Sequence, residues 1–411
     1  MKFKSAILLF TTCLFLTSAF SGAGLVTKAN KTACQTIATN NEPIIPFELV
    51  GNHIFLRATV GKSGLLWFVL DTGDKYGVID LARARMLGLQ LQGEVPIGGG
   101  GEGVLKGSFV KDASFNLVGL DDLPQKLSLA MPLDNLARVA GHDFDGILGQ
   151  DFIRQFVVDI DYVNRRLTLH DKDKFAYSGT GDAVPITINF GGHPQTSARL
   201  LENGRDPVEG TFVLDIGYGG SLIVNKAFVE KQGLLRADKK TVAAIAGIGA
   251  GGESKALVGR VDGVKLGRFL IENPVVAFSQ DTKGAAATLN VIGADILKQF
   301  RIILDYGRNR IILEPNSLFA NPIEFDKSGL HLTTLGGDYR EFRVMSIIDG
   351  SPASEAGIQK GDMLVAIDGK PAAQFTLAQI HEMLKQEIQF NLRFKRGDES
   401  IDIKLKLRRL V

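Results

Sequence analysis

The sequence contains very little cysteine. Of its 411 residues, 2 are cysteines: Cys13 lies in an apolar N-terminal run and Cys34 lies in a polar stretch. Removal of the N-terminal run would leave a single cysteine, so no internal disulfide is expected. An exported protein without disulfides has to be stabilised by large hydrophobic cores, and 45% of the residues are hydrophobic.

An excess of charge of either sign is also missing. The formal net charge is +2, from 47 basic and 45 acidic residues. This balance gives no indication of a nucleic-acid partner or of a polybasic surface that would bind a membrane. Beyond the N-terminus, no apolar run reaches the roughly 20 residues that a membrane-spanning helix needs. We therefore expect no membrane span after signal cleavage.

The 6 histidines form no metal-binding pattern. Several of them occur singly, without the spacing that places ligands around one ion: His53, His142, His170 and His193. Structural or surface roles are expected for them. The sequence also has no Gly-x-Ser-x-Gly nucleophile motif. It therefore implies no metal and no organic cofactor.

Residues 1–23 have the features of a secretory signal peptide. Two lysines precede the apolar run from Ala6 to Phe20, and the small residues SGAG follow it. Cleavage after Ala23 would give an exported protein, periplasmic or extracellular. The alternative is a retained anchor, although the run is short for a spanning helix. Residues 24–41 show no apolar periodicity and are predicted to be a linker.

A six-residue segment occurs twice, as FVLDTG at 68–73 and as FVLDIG at 212–217. Short β-type runs separated by glycine turns surround both copies, and the chain has 47 glycines. Alternating runs of this kind predict a mainly β fold.

A second pair of segments repeats at the same spacing. GILGQDFIRQF and NVIGADILKQF align so that Gly149 matches Gly293, and 293 − 149 equals 215 − 71, the separation of Asp71 and Asp215. Equal spacing of two separate motifs indicates duplication of one domain. We call residues 42–172 the first repeat and residues 183–316 the second repeat.

The repeated aspartates are candidate catalytic groups. Asp71 and Asp215 each end an apolar strand, and a glycine two residues later permits a sharp turn. A simple turn is the alternative for one copy, whereas two matched copies favour a carboxylate pair on a two-fold axis. Two carboxylates about 3 Å apart share one proton. The ionised one can activate a water while the protonated one hydrogen-bonds to a scissile carbonyl.

These motifs resemble those of the aspartic proteases, in particular the retropepsin-like bacterial proteins, over about residues 44–315. The carrying segments are DTG at 71–73, DIG at 215–217, ILG at 147–149 and VIG at 291–293. The resemblance implies two retropepsin-like β lobes, 42–172 and 183–316, that form an intramolecular pseudo-dimer. It also implies a monomeric endopeptidase that acts on peptide or protein substrates, with Asp71 and Asp215 catalytic. In the family, the ILG-type segment packs beside the aspartate loop of its own lobe.

Two residues depart from the family pattern. The family carries Thr or Ser after each aspartate, and these hydroxyls hydrogen-bond across the axis. Thr72 can do so and Ile216 cannot, although Gly73 and Gly217 are both in place. Asp74 adds a carboxylate that would raise the pKa values of the pair. The alternative reading is therefore a catalytically weak or inactive protease fold that serves as a peptide-binding scaffold.

Two glycine-rich loops lie at matching places, VPIGGGGEGVLKG at 95–107 and IAGIGAGGES at 245–254. Neither has the Gly-Lys-Ser/Thr ending of a phosphate-binding loop. The resemblance implies mobile flaps that close over a peptide, with glycines that adopt positive φ at their tips. Plain flexible surface loops are the alternative. The candidate flap residues are Gly98, Gly99, Gly100, Gly101, Gly247 and Gly249.

The C-terminal region, residues 322–411, resembles a bacterial PDZ domain through GSPASEAGIQKGDMLVAIDGKPA at 350–373. TLAQIHEMLKQE at 376–387 has helical periodicity with Thr376 as N-cap. The resemblance implies an α+β domain that binds an extended C-terminal peptide, whose carboxylate is held by amides of Leu330, His331 and Leu332. His331 stands where glycine is usual. A domain that only packs against the lobes is the alternative.

Overall fold

The computed structural model describes residues 42–120 and 125–411. The predicted signal peptide and linker, with both cysteines, lie outside the described residues. The described chain is mainly β, as predicted, with 30 strands and 8 short α-helices in these residues. Among the same residues, no helix has the length and apolar character needed to cross a bilayer.

The first repeat is a β sheet with three short helices. Its elements are β1 (Ile44–Pro46), β2 (Glu48–Val50), β3 (His53–Val60), β4 (Leu66–Leu70), β5 (Val78–Asp80), α1 (Leu81–Met86), β6 (Gln90–Ile97), β7 (Leu105–Leu117), β8 (Gln125–Met131), α2 (Asp134–Ala140), β9 (Gly146–Leu148), α3 (Gln150–Ile153), β10 (Val157–Asp161) and β11 (Arg166–His170). Eight strands form one sheet in the order β2-β3-β4-β9-β5-β8-β7-β6, and β3 also pairs with β7.

The second repeat follows the same plan. Its elements are β12 (Asp182–Pro185), β13 (Thr187–Ile188), β14 (Pro194–Leu201), β15 (Val208–Asp215), β16 (Leu222–Val224), α4 (Lys226–Gln232), β17 (Val242–Gly249), β18 (Gly252–Arg260), β19 (Gly263–Leu266), β20 (Phe269–Glu272), β21 (Val275–Ser279), α5 (Ala285–Thr288), β22 (Val291–Gly293), α6 (Ala294–Leu297), β23 (Phe300–Asp305), a 3-10 turn (Tyr306–Arg308) and β24 (Arg310–Pro315). Its order β15-β22-β16-β21-β18-β17 corresponds to β4-β9-β5-β8-β7-β6.

The two repeats share a third sheet. Six strands lie in the order β1-β11-β10-β23-β24-β12, so three come from each repeat. At the junction, β10 and β23 pair antiparallel, with Asp159 opposite Ile303. Arg301 of β23 also holds Asp159 through two hydrogen bonds of 2.6 and 2.9 Å. One large hydrophobic cluster contains residues of both repeats, so they pack as one body.

The C-terminal region has its own sheet and its own core. Its elements are β25 (Leu330–Leu335), β26 (Glu341–Ile347), α7 (Pro352–Glu355), β27 (Met363–Ile367), β28 (Lys370–Pro371), a 3-10 turn (Ala372–Gln374), α8 (Leu377–Leu384), β29 (Gln389–Arg396) and β30 (Glu399–Lys406). The strand order is β25-β26-β27-β29-β30, with β28 beside β27, so β25 and β30 are edge strands. Thr376 caps α8 in a capping box with Gln379, which confirms the predicted N-cap.

Candidate active site

Each repeated aspartate lies at the end of a buried strand. All five residues of β4 are buried, and Asp71, which follows it, donates its N–H to Leu148 O at 2.9 Å. The ILG segment in β9 runs parallel to β4. In the second repeat β15 and β22 pair in the same way, with Asp215 opposite Gly293. The ILG and VIG segments therefore lie beside the aspartate loops of their own repeats.

The two aspartate loops face each other. A Cβ atom placed on Gly73 would lie 2.6 Å from Asp215 Oδ2, and one on Gly217 would overlap the carboxyl group of Asp71. Each glycine thus packs against the carboxylate of the opposite repeat, and no larger residue fits there. The same glycines donate N–H hydrogen bonds within their loops, Gly73 to Asp71 Oδ1 at 2.6 Å and Gly217 to Asp215 Oδ1 at 2.9 Å.

The two carboxyl groups differ in their surroundings. Burial raises the pKa of Asp71 well above its usual range, and the nearby Asp215 and Asp74 raise it further. Burial also raises the pKa of Asp215, but hydrogen bonds from Asp71 and from the Gly217 and Tyr218 amides oppose the rise. Because Asp215 accepts more hydrogen bonds, it is the better site for the negative charge. The surroundings of Asp71 therefore favour its protonated form more strongly than those of Asp215 do.

Asp74 is a third carboxyl group at the same place. Burial raises the pKa of Asp74 to about 6, against the hydrogen bonds that it accepts from the Tyr76 and Lys75 amides. Charge on Asp74 in turn raises the pKa of Asp71. The effect that the sequence predicted for this extra carboxylate is therefore present for Asp71.

The hydrogen bonds between the loops come from one side. Thr72 Oγ1 donates to Leu214 O at 2.7 Å and accepts from Ile216 N at 3.0 Å. Ile216 has no hydroxyl with which to return this contact, and its side chain is buried in the core shared by the repeats. Gln150, which the sequence reasoning missed, donates to Thr72 O at 2.6 Å. A polar residue directly after the ILG segment was the available signal.

The glycine-rich loops contact each other. Gly251 N donates to Gly100 O at 2.7 Å, and Gly101 N donates to Ser254 Oγ at 2.8 Å. A Cβ on Gly249 would lie 2.8 Å from the Gly100 backbone, so glycine is needed where these two backbone segments approach each other. The predicted positive φ occurs only at Gly101 among the six candidate glycines.

Gly247 and Gly249 are placed differently from the prediction. Both belong to strand β17, while the turn of the hairpin consists of residues 250–251, followed by Gly252 with φ +92°. A Cβ on Gly247 would lie 3.4 Å from the Tyr218 ring. Gly98 and Gly99 lie in the loop after β6, and Gly99 O accepts from Ala285 N at 3.0 Å.

His193 lies beside the candidate site, although the sequence indicated only a structural or surface role. Burial lowers the pKa of His193, and the nearby charge of Asp215 opposes this lowering. The missed signal was a repeat: GNH at 51–53 and GGH at 191–193 lie where the matching strands β3 and β14 begin. Correspondingly, His53 Nε2 lies 3.0 Å from where a Cβ of Gly219 would be.

A cavity of about 200 Å³ lies beside the second aspartate loop. Tyr218 and Ser221 line it on one side, Ile245 of β17 on another, and Phe325 and Lys385 on a third. Ser221 Oγ is buried and has no hydrogen-bond partner among the described residues. The cavity is therefore lined by both apolar and polar residues, as ligand pockets usually are.

The candidate peptide-binding loop of the C-terminal region is largely occupied by its own side chains. Leu330 and Leu332 are buried in the core of this region, and the His331 ring hydrogen-bonds to Ser346 Oγ at 2.8 Å. Asp326 Oδ1 accepts from Gly329 N at 2.5 Å, while Ser328 Oγ accepts from Leu330 N at 2.9 Å. Side chains of the same region thus accept from the Gly329 and Leu330 amides.

The other end of β25 contacts the first repeat. Thr334 Oγ1 donates to Arg138 O at the end of α2, at 2.6 Å. Gly141, which caps α2 with φ +66°, packs so closely that a Cβ there would lie 2.7 Å from Leu377 Cβ of α8. The C-terminal region thus packs against the first repeat at β25 and α8, while the alternative of a domain that only packs there stays a prediction.

Comparison with known families assigns one part of the chain. Residues 343–396 match the family model described as PDZ domain, so the chain contains a PDZ domain and the prediction is confirmed for that range. PDZ domains are protein-interaction modules that typically bind peptides. β25, with Leu330–Leu332, precedes the matched residues. No curated protein matches the chain.

Within residues 42–120 and 125–411, no group of three or more His, Cys, Asp or Glu side chains is arranged to hold a metal ion.

Proposed function

We propose that the chain is an exported, monomeric aspartic endopeptidase with two retropepsin-like lobes, whose PDZ domain recruits protein substrates. The observation that carries the proposal is the contact of Gly73 with Asp215 and of Gly217 with Asp71. This contact brings two carboxyl groups from distant parts of the chain together at the ends of equivalent strands. Export rests on the signal-like N-terminus.

The reaction follows from the unequal carboxyl groups. Asp215 takes a proton from a water molecule as the water oxygen attacks the carbonyl carbon of the peptide bond. At the same time Asp71 gives its proton to the carbonyl oxygen. The resulting diol loses a hydroxyl proton to Asp71, and Asp215 protonates the amide nitrogen as the C–N bond breaks. Both carboxyl groups then have their starting protonation, and no covalent intermediate forms.

The surroundings of the pair support substrate binding. The loop after β6 and the β17–β18 hairpin meet through backbone hydrogen bonds, so opening them would admit a peptide and closing them would exclude water. The cavity beside Tyr218 has room for a substrate side chain.

One feature favours a peptide-binding scaffold as the second candidate. Ile216 leaves the hydrogen-bond network between the loops one-sided, and looser positioning slows acid–base chemistry. A scaffold would bind unfolded segments without cleaving them.

The deciding experiment compares the full chain with Asp71→Asn, Asp215→Asn and the double variant on a denatured protein, with and without a transition-state-mimicking aspartic protease inhibitor. We expect each single variant to abolish cleavage and the double variant to be little worse, because the two groups act as a unit. The control is Asp112→Asn, an exposed aspartate at φ +50°, a conformation that asparagine also adopts.

Two results would contradict the proposal. Cleavage that survives Asp215→Asn would exclude the intramolecular pair. Wild-type protein that binds unfolded segments but never cleaves them would establish the scaffold.

A further inference from the structure

We propose that Tyr218 is a positioning residue that couples closure of the β17–β18 hairpin to the orientation of the Asp215 carboxyl group. The inference rests on the proposed function, because positioning matters only if the aspartates act on a substrate. Tyr218 is the third residue after Asp215, and 218 − 74 equals 215 − 71, so it occupies the place that Asp74 has in the first repeat. The two repeats therefore differ at a position next to the candidate pair.

The main chain of Tyr218 is fixed at the aspartate loop. Its N–H donates to Asp215 Oδ1 at 3.1 Å. Its carbonyl oxygen accepts from Ala294 N, at the start of α6, at 2.8 Å. In the first repeat Asp74 O accepts from Gln150 N at 2.9 Å in the same way. Because the main chain at this position holds a carboxylate oxygen, a restraint on Tyr218 also restrains Asp215.

The side chain of Tyr218 reaches the hairpin. Its hydroxyl donates to Ala246 O at 3.3 Å, and a carbonyl can only accept, so the direction of this hydrogen bond is fixed. Ala246 lies in β17 between Ile245 and Gly247, where the register with β18 shifts. A bulge of this kind takes the extra residue out of the ladder. The hairpin thus offers Ala246 to a side chain from outside the sheet.

Glycines surround the Tyr218 ring and let it lie between main-chain segments. A Cβ on Gly247 would lie 3.4 Å from Cε2 of the ring, and one on Gly293 would lie 2.5 Å from Cδ1. A Cβ on Gly220 would overlap the hydroxyl. Burial also raises the pKa of Tyr218, so the hydroxyl keeps its proton and remains a donor. The ring is therefore closely held, with its hydroxyl directed at β17.

The hairpin that carries Ala246 is closed against the first repeat. In its turn, Gly251 N donates to Gly100 O at 2.7 Å. Ala250 packs against a small hydrophobic cluster of first-repeat residues that includes Ile147. A peptide that entered between the hairpin and the aspartates would displace these contacts and move Ala246 O away from the hydroxyl. The carboxyl group is therefore held most firmly when the hairpin is closed.

The equivalent side chain of the first repeat stays in its own loop. Asp74 Oδ1 accepts from Tyr76 N at 3.4 Å. The second loop is held from two directions instead: Thr72 bonds to it from the first repeat, and Tyr218 connects it to the hairpin. The coupling thus belongs to Asp215 in particular.

The first test measures kcat and KM of Tyr218→Phe in the full chain on one peptide. This change removes the hydroxyl and keeps the ring and the main chain. We expect kcat to fall by about three- to fivefold, with a smaller change in KM. Such a fall corresponds to roughly 0.6–1 kcal/mol, within the usual contribution of one neutral hydrogen bond. Tyr162→Phe is the matched control and should leave kcat unchanged, since the Tyr162 hydroxyl is buried and has no hydrogen-bond partner among the described residues.

A second variant shows whether Tyr218 acts through the hairpin. Ser254 Oγ accepts from Gly101 N at 2.8 Å, so Ser254→Ala removes one contact that holds the hairpin closed and leaves the aspartate loops unchanged. If Tyr218 acts when the hairpin is closed, Tyr218→Phe should lower kcat less in the Ser254→Ala background than in the wild type. Additive effects of the two substitutions on kcat would contradict the coupling.

Amide hydrogen exchange of β17 and β18 separates this inference from the proposed function. Exchange should be faster in Tyr218→Phe than in the wild type and unchanged in Tyr162→Phe. The acceleration should be smaller in an Asp215→Ala background, because Tyr218 N has lost its acceptor there. This pattern in a protein that cleaves nothing would support the coupling and contradict the proposed function alone. Unchanged exchange in Tyr218→Phe, equal acceleration in both backgrounds, or an unchanged kcat in an active enzyme would overturn the inference.

Discussion

Replacement of Asp74 by asparagine should stabilise the protein at neutral pH. Burial raises the pKa of Asp74 from 3.8 to about 6, so the folded state favours its protonated form. This contribution to stability is fully present below pH 3.8 and is lost as the pH rises through about 6. A shift of about 2 pKa units corresponds to roughly 3 kcal/mol. Because the side chain is partly exposed, we expect a gain of about 1–3 kcal/mol at pH 7.

The assay is urea unfolding of wild type and Asp74→Asn at several pH values between 3 and 7. The asparagine oxygen can still accept the hydrogen bond from Tyr76 N, so the loop keeps its local contact. The two proteins should be equally stable near pH 3 and diverge as the pH rises. Asp112→Asn, on an exposed side chain, serves as the control.

The same substitution has a second consequence if the pair is catalytic. Charge on Asp74 raises the pKa of Asp71, so Asp74→Asn should move the alkaline limb of hydrolysis to lower pH. A variant that is equally or less stable than wild type across the whole pH range would refute the argument, because it would show that Asp74 pays no burial penalty in the folded state.

Two further substitutions test the site and the domain contact. Ile216→Thr should raise kcat by up to about tenfold, because the new hydroxyl can hydrogen-bond to the first loop as Thr72 does to the second. It should also lower the thermal midpoint, because a buried apolar group is lost. A variant that is less stable and no faster would contradict this. Gly141→Ala should increase proteolysis of residues 317–329, because the added Cβ would clash with Leu377 of the C-terminal region. The control is Gly233→Ala, which also changes a helix cap with positive φ (+58°) but has open space around it, and which should leave proteolysis unchanged. Equal cleavage of the two variants would contradict the prediction.

The local elements of the fold could be read from the sequence with little ambiguity. Thr376 and Gln379 predict the start of α8 because capping involves residues three apart in the chain. The apolar run before Asp71 predicts a buried strand, and the glycine two residues later predicts the turn that follows it. These features depend on neighbours within one turn or one strand, so the sequence contains all of the information they require.

The repeat also allowed the facing of the two aspartates to be anticipated. Equal spacing of Asp71 with Gly149 and of Asp215 with Gly293 indicates one topology used twice, and the corresponding strand orders agree with it. The φ values of the glycine loops were less predictable. Several of these positions need glycine because two backbone segments approach closely there, as at Gly249 and Gly100. The sequence alone does not show which segments will approach each other.

What the sequence determined by itself was the β character of the chain, its internal duplication, the two Asp-x-Gly turns and the PDZ motif. Only the tertiary structure decided that β10 and β23 join the repeats in one sheet, that Arg154 of the first repeat bonds to Gly192 of the second, and that α2 contacts one end of β25. The physical reason is range. Hydrophobic period, capping and turn chemistry act between residues close in sequence, whereas contacts and pKa shifts arise between groups that only packing of the whole chain brings together.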